Sequence, residues 1–171
     1  MTFLPVLVAV LLIGTDQLTK FLVLKYLSDG VPVVVIPHVV QFRYLQNTGA
    51  AFSMMSGKTI MLSIITAVVL VVLIVLYHRG TFKTNALRAG TLLIISGGFG
   101  NLIDRVFRHY VVDFIEFLFT KFAVFNFADC CVTIGAAILI IALIIDIAKT
   151  SGKEKQENCY GGNRLRLHSS R

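Results

Sequence analysis

TIMLSIITAVVLVVLIVLY, residues Thr59–Tyr77, carries no charged side chain. Coiled as an α-helix at 1.5 Å per residue it reaches about 28 Å, close to the ~30 Å hydrocarbon core of a bilayer. Working outward, the chain holds three more runs of this kind. Residues 3–27 are mostly apolar outside the short polar patch Gly14–Lys20, and residues 86–104 and 127–148 form the other two. With 56% hydrophobic residues and a mean hydropathy of +0.82, the composition excludes an ordinary soluble domain. The sequence predicts an all-α membrane protein, with transmembrane helices over 3–27, 59–77, 86–104 and 127–148 in one domain of residues 1–149.

Lysine and arginine in short loops orient such a chain, because basic loops stay on the cytoplasmic side. Arg79, Lys83 and Arg88 mark the connection between the second and third helices, and Lys149, Lys153, Lys155, Arg164, Arg166 and Arg171 mark the tail. Both termini are therefore expected in the cytoplasm, with residues 150–171 forming a basic, unstructured tail. The net charge of +7 fits anchoring to anionic membrane lipids rather than binding to nucleic acid. The first helix lacks a basic leading segment and a small-x-small site, so it is expected to remain rather than be cleaved. Cys130, Cys131 and Cys159 offer neither a disulfide framework nor metal-ligand spacing, and read as small apolar fillers.

Two segments face outward in this orientation. Residues 31–46 start with a proline-interrupted β-branched stretch, after which Val40, Phe42 and Tyr44 alternate with Gln41 and Arg43. That period of two predicts a small β-structure on the outer surface, closed by the turn Asn47-Thr48-Gly49. Residues 108–125 are rich in phenylalanine and are expected to dip into the membrane interface as an aromatic loop.

The polar residues inside the oily runs are the candidates for chemistry, since a carboxylate at the centre of a membrane helix costs about 2.5–3.5 kcal/mol. Orientation gathers Asp16, Asn101, Asp104, Asn126 and Asp129 at the outer ends of their helices, with Asp113 in the outer loop between. Gly97, Asn101, Asp104 and Arg108 fall on one helical face at spacings of four, three and four. Plainer readings stand beside the functional ones. Asp16 and Lys20 form a natural intrahelical ion pair, Asp104 and Arg105 suit interfacial anchors, and Asn126 with Asp129 resembles a reciprocal helix cap. The glycines of Ser96-Gly97-Gly98-Phe99-Gly100 read as close helix packing. Asp113 has no cap or partner in sequence to explain it. The four histidines are scattered and no G-x-S-x-G elbow is present, so zinc and serine hydrolysis both lack their residues. Paired carboxylates remain: two within reach of each other cannot both ionise, so one keeps a proton while the other can take one from water.

These residues fall into blocks: Asp16-Gln17-Leu18-Thr19-Lys20, Asn47-Thr48-Gly49-Ala50-Ala51-Phe52-Ser53, Gly98-Phe99-Gly100-Asn101-Leu102-Ile103-Asp104-Arg105, Val111-Val112-Asp113-Phe114-Ile115 and Phe125-Asn126-Phe127-Ala128-Asp129. In this order they closely resemble the bacterial lipoprotein signal peptidase family, signal peptidase II. The resemblance implies an intramembrane aspartyl endopeptidase of the bacterial inner membrane, its active site near the outer face. Such an enzyme removes signal peptides from diacylglyceryl-modified prolipoproteins, cutting before the lipidated cysteine. It places the catalytic pair on Asp113 and Asp129 and makes Asn101, Asn126 and Ala128 part of their support. Asp16, Lys20, Asn47, Gly49, Asp104 and Arg105 would shape the pocket or contact substrate and lipid, and residues 31–46 would form the family's β-cradle. No metal or organic cofactor is implied, and a monomer is expected. The rival class is a small proton- or ion-coupled transporter using the buried aspartates as a relay, although no internal repeat is visible.

Overall fold

The structure, a computed structural model, describes residues 3–49 and 58–168, the last twenty of them as helical backbone alone. Part of one quoted block, Ala50-Ala51-Phe52-Ser53, lies outside the described residues. The order of elements is α1 (Phe3–Tyr26), β1 (Val33–Ile36), β2 (Val40–Asn47), α2 (Thr59–His78), α3 (Asn85–Phe107), β3 (Val111–Phe117) and α4 (Phe127–His168). Four helices are long and apolar enough to cross a membrane, each beginning and, except at the tail, ending within a few residues of the expected bounds.

α3 is the central helix, packed by α1, α2 and α4. Small residues let the backbones close. A Cβ on Gly97 would run into the Ala128 carbonyl oxygen and sit 2.9 Å from Val132 Cγ2. Further along, Gly90 and Gly135 face each other so closely that a Cβ on either meets the other's carbonyl oxygen at 2.8 and 2.6 Å. These are the small-residue contacts by which membrane helices associate where no hydrophobic force separates them from lipid. Thr84 caps the start of α3, its hydroxyl accepting from the Leu87 N–H at 3.2 Å. At the other end His109 takes the left-handed conformation (φ 66°) that terminates helices, a place usually filled by glycine. α2 is the opposite case: Leu70 is its one buried residue, and a face with Ile60, Ile64, Val68 and Val71 is exposed.

One expectation is corrected after α3. Residues 108–125, expected as an interfacial aromatic loop, contain β3, which completes a three-stranded antiparallel sheet in the order β1-β2-β3. Val111, Val112, Asp113 and Phe114 are all buried, so both faces of this strand are covered and no alternation shows in its sequence. Its partner β2 is more than sixty residues away, pairing Leu45 with Asp113 and Asn47 with Val111. The sheet is seated on the end of α1 by a cluster of Val23, Val112 and Phe114, against which Leu24, Leu27 and Phe42 pack. A second difference is the tail, expected to be unstructured: the backbone of α4 continues as helix to His168. Lysine, glutamate and glutamine sustain helix and no proline interrupts them between Lys149 and His168.

Candidate active site

The C-terminal halves of α1 and α3, the start of α4 and strand β3 meet at one level, and Asp113 and Asp129 open there onto a shared cavity of about 520 Å³. Asn47, Asn101 and Arg105 line it as well. Its remaining wall is apolar, from Phe117, Phe122 and Phe125 beside the sheet to Val132 and Ile134 on α4. Asp113 is 1% exposed, whereas Asp129 is only part-buried and faces the opening.

Each carboxylate is held by amide N–H groups. Asp113 receives Asn47 Nδ2 on Oδ2 at 2.8 Å and Asn126 Nδ2 on Oδ1 at 2.7 Å. Asp129 receives Asn101 Nδ2 on Oδ1 at 2.7 Å and the Asn126 backbone N–H on Oδ2 at 3.2 Å. In return Asn126 Oδ1 accepts the Asp129 N–H at 2.9 Å, closing a reciprocal cap at the start of α4. The capping reading and the site reading therefore describe the same residues: the cap fixes Asp129 by one oxygen and leaves the other turned to Asn101. Burial, reinforced by the neighbouring Asp129 charge, pushes the Asp113 carboxyl up to about 7. Near neutrality this pair carries a proton on one member, the arrangement that acid–base hydrolysis by paired carboxylates needs.

Behind the pair lies a second, charged cluster. Lys20 is fully buried and donates to Asp16 Oδ2 at 2.9 Å, Asp104 Oδ2 at 3.0 Å and Asn101 Oδ1 at 2.9 Å. Arg108 pairs with Asp104 from the next turn of α3. The same two carboxylates also accept backbone N–H groups: Ala128 to Asp16 Oδ1 at 2.9 Å, and Val112 to Asp104 Oδ2 at 3.1 Å. Those amides immediately precede Asp129 and Asp113 in the chain, so the charged cluster fixes the backbone beneath each.

A family model for signal peptidase (SPase) II matches residues 8–145. The chain belongs to the signal peptidase II family. It is 40% identical over 137 residues to the lipoprotein signal peptidase of Streptococcus pneumoniae (strain ATCC BAA-255 / R6), covering 80% of this chain and 90% of that protein. The lipoprotein signal peptidase of Enterococcus faecalis (strain ATCC 700802 / V583) is 38% identical over 140 residues, covering 82% and 87%. A bacterial membrane enzyme solved by the in meso method at 2.3 Å superposes with a TM-score of 0.82 at 33% identity, covering 87% of this chain and 92% of its own. The chain is thus a multi-pass membrane peptidase, and these relatives, named as peptidases, leave the transport reading without support.

Of the residues singled out in this signal peptidase II sequence, the structure brings all to one region. Asp113 and Asp129 face the cavity; Asn47, Asn101 and Asn126 bond to them; Asp16, Lys20, Asp104 and Ala128 lie beneath. Asp104 pairs with Lys20 and Arg108 rather than forming an anchor with Arg105. Arg105 lines the cavity and donates to the Gly49 carbonyl at 3.3 Å, which ties the turn after β2 to α3. Sequence reasoning passed over Gln17, whose amide donates to Asp16, to the Gly100 carbonyl and to Asp104 at 3.1–3.3 Å. Its signal was present: it stands between Asp16 and Lys20 in a membrane helix, where an uncharged polar side chain also needs a partner.

Proposed function

We propose that the chain removes signal peptides from diacylglyceryl-modified prolipoproteins by an aspartic mechanism on Asp113 and Asp129. The observation that carries this reading is the pair of carboxylates on one cavity, bonded by uncharged amides only, one of them holding its proton to about neutral pH. Asp129, the more open, takes a proton from water as the water oxygen attacks the scissile carbonyl carbon. Asp113 gives its proton to the carbonyl oxygen, forming a neutral tetrahedral diol. On collapse the C–N bond breaks, Asp129 passes its proton to the leaving amine and a diol hydroxyl returns a proton to Asp113. Both carboxyls end as they began.

The apolar wall supports a lipid-modified substrate. It runs from Phe122 and Val124 past the carboxylates to Val132 and Ile134 within the α4 span. Acyl chains and an apolar signal helix could enter there from the membrane, while the scissile bond meets the polar end. The basic connection around Arg79 and Lys83 supports a cytoplasmic position for the opposite end and a position for the cavity at the outer face of the bacterial inner membrane. The test is cleavage by purified protein of one precursor prepared with and without its diacylglyceryl group, read by mass. Release of the signal peptide from the lipidated form alone is expected. Intact lipidated precursor after long incubation would refute the reading, and equal cutting of both forms would refute lipid recognition.

A further inference from the structure

Three asparagine amides point at the two cavity carboxylates, and in each the carbonyl oxygen is occupied by a group that can only donate. Asn47 Oδ1 accepts the Gly49 N–H at 2.9 Å, and Asn126 Oδ1 accepts the Asp129 N–H at 2.9 Å. Asn101 Oδ1 accepts the Lys20 ammonium at 2.9 Å. An ammonium has three donors and no acceptor, so the Asn101 atom beside it must be the oxygen. The nitrogen is then forced toward Asp129, which it meets at 2.7 Å. Asn101 Oδ1 also takes Asn126 Nδ2 at 3.1 Å, the amide that donates to Asp113 as well. Two of these three orientations are fixed by backbone, and one by a side chain that the substrate cannot reach, because Lys20 is fully buried.

We propose that Lys20 is a positioning residue for the cleavage reaction: by donating to Asn101 Oδ1 it holds the Asn101 amide with its nitrogen on Asp129. This replaces pocket shaping or substrate contact as the role of Lys20, and it rests on the proposed role of the two carboxylates. Without the ammonium, Asn101 Oδ1 keeps only the longer bond from Asn126 Nδ2 at 3.1 Å, an amide it shares with Asp113, so the Asn101 nitrogen is held less firmly against Asp129. The ion pairs with Asp16 and Asp104 are then the means of keeping an ammonium at that depth, where it could not remain unpaired.

Lys20→Met combined with Asp16→Asn separates orientation from folding. The pair removes one charge of each sign, keeps Asp104 with Arg108, and leaves a side-chain amide oxygen at position 16 to accept the Ala128 N–H. Lys20→Gln with Asp16→Asn has the same charge but restores an N–H donor. In detergent, the methionine variant is expected to unfold within a few degrees of wild type. Its kcat on the lipidated precursor should be lower by roughly ten- to a hundredfold with KM unchanged, and the glutamine variant should recover much of that loss. A substrate-free readout is the side-chain amide NMR signal of Asn101, assigned by its loss in Asn101→Ala. It should sit downfield in wild type and move toward the free-amide position in the methionine variant. Wild-type kcat together with an unmoved amide signal in the methionine variant would overturn the proposal. So would a glutamine variant as impaired as the methionine one. If the methionine variant does not fold, a folded glutamine variant with kcat lowered roughly ten- to a hundredfold from wild type would overturn the proposal, and one close to wild type would support it. Failure of wild type to cleave would instead refute the peptidase mechanism, while the amide signal would still decide the role of Lys20.

Discussion

Two pairs of carboxylates lie side by side at the sheet end of this molecule, and they are held in opposite ways. Asp16 and Asp104 share the Lys20 ammonium, and Asp104 has Arg108 besides. Their charge is neutralised and their remaining lone pairs accept backbone N–H groups. Asp113 and Asp129 are bonded by neutral amides only. Asp129 is the most open of the four, and only the first pair is bonded directly to a cation. A buried carboxylate with an ammonium beside it has its charge balanced and serves the fold. The second pair bonds directly to no cation, although Arg105 lines the same cavity, and burial with mutual repulsion favours one retained proton, which can move.

The contrast breaks most visibly at the cavity. Asp113→Asn or Asp129→Asn should reduce cleavage of a lipidated precursor by about a thousandfold or more while the protein still accumulates in the membrane. Full activity of either would remove it from the mechanism. Lys20→Met alone attacks the other pair. It leaves Asp16 and Asp104 buried together without their cation, at an expected loss of about 3–5 kcal/mol seen in thermal unfolding. A stability within about 1 kcal/mol of wild type would show that the charged cluster does not hold the fold.

Sharper still is the pH dependence. Burial and the Asp129 charge raise Asp113 to about 7, so kcat/KM should fall about tenfold per pH unit above that value. The sign for stability follows from the same shift. The unfolded chain releases this proton near 3.8 and the folded one near 7. The folded state therefore binds more protons between those values, and wild type should lose stability relative to Asp113→Asn as pH rises through that window. The smallest effect is expected on the sheet, where Arg43 pairs with Glu116 at 2.7 Å and is 41% exposed. Hydrogen bonds from Gln41 and Arg43 outweigh partial burial and hold Glu116 below the usual carboxylate range. Arg43→Gln should cost less than about 1 kcal/mol, measured by the same unfolding experiment.

How much of this the sequence revealed follows from whether the signal was local. The four spans are written in runs of about twenty apolar residues, and the Gly97 contact is legible because nothing larger fits beside another helix. The polar residues were legible because a membrane makes each of them costly. β3 was not, since Val111-Val112-Asp113-Phe114 is covered on both faces and its register depends on β2, far away in the chain. For the same reason Asp113 stood out in sequence without a visible partner, and its pairing with Asp129 came from family resemblance. The direction of the Asn101 amide was beyond sequence altogether, since it depends on a lysine from another helix.

The central claim is that Asp113 and Asp129 are one proton-sharing pair distinct from Asp16 and Asp104. Infrared titration of the protonated-carboxyl band, assigned by its loss in Asp113→Asn, tests it most directly. The band should disappear with a midpoint near 7 in wild type. It should shift to lower pH in Asp129→Asn and move less in Asp104→Asn. A wild-type midpoint in the ordinary carboxylate range, or a larger shift from Asp104→Asn than from Asp129→Asn, would contradict the account.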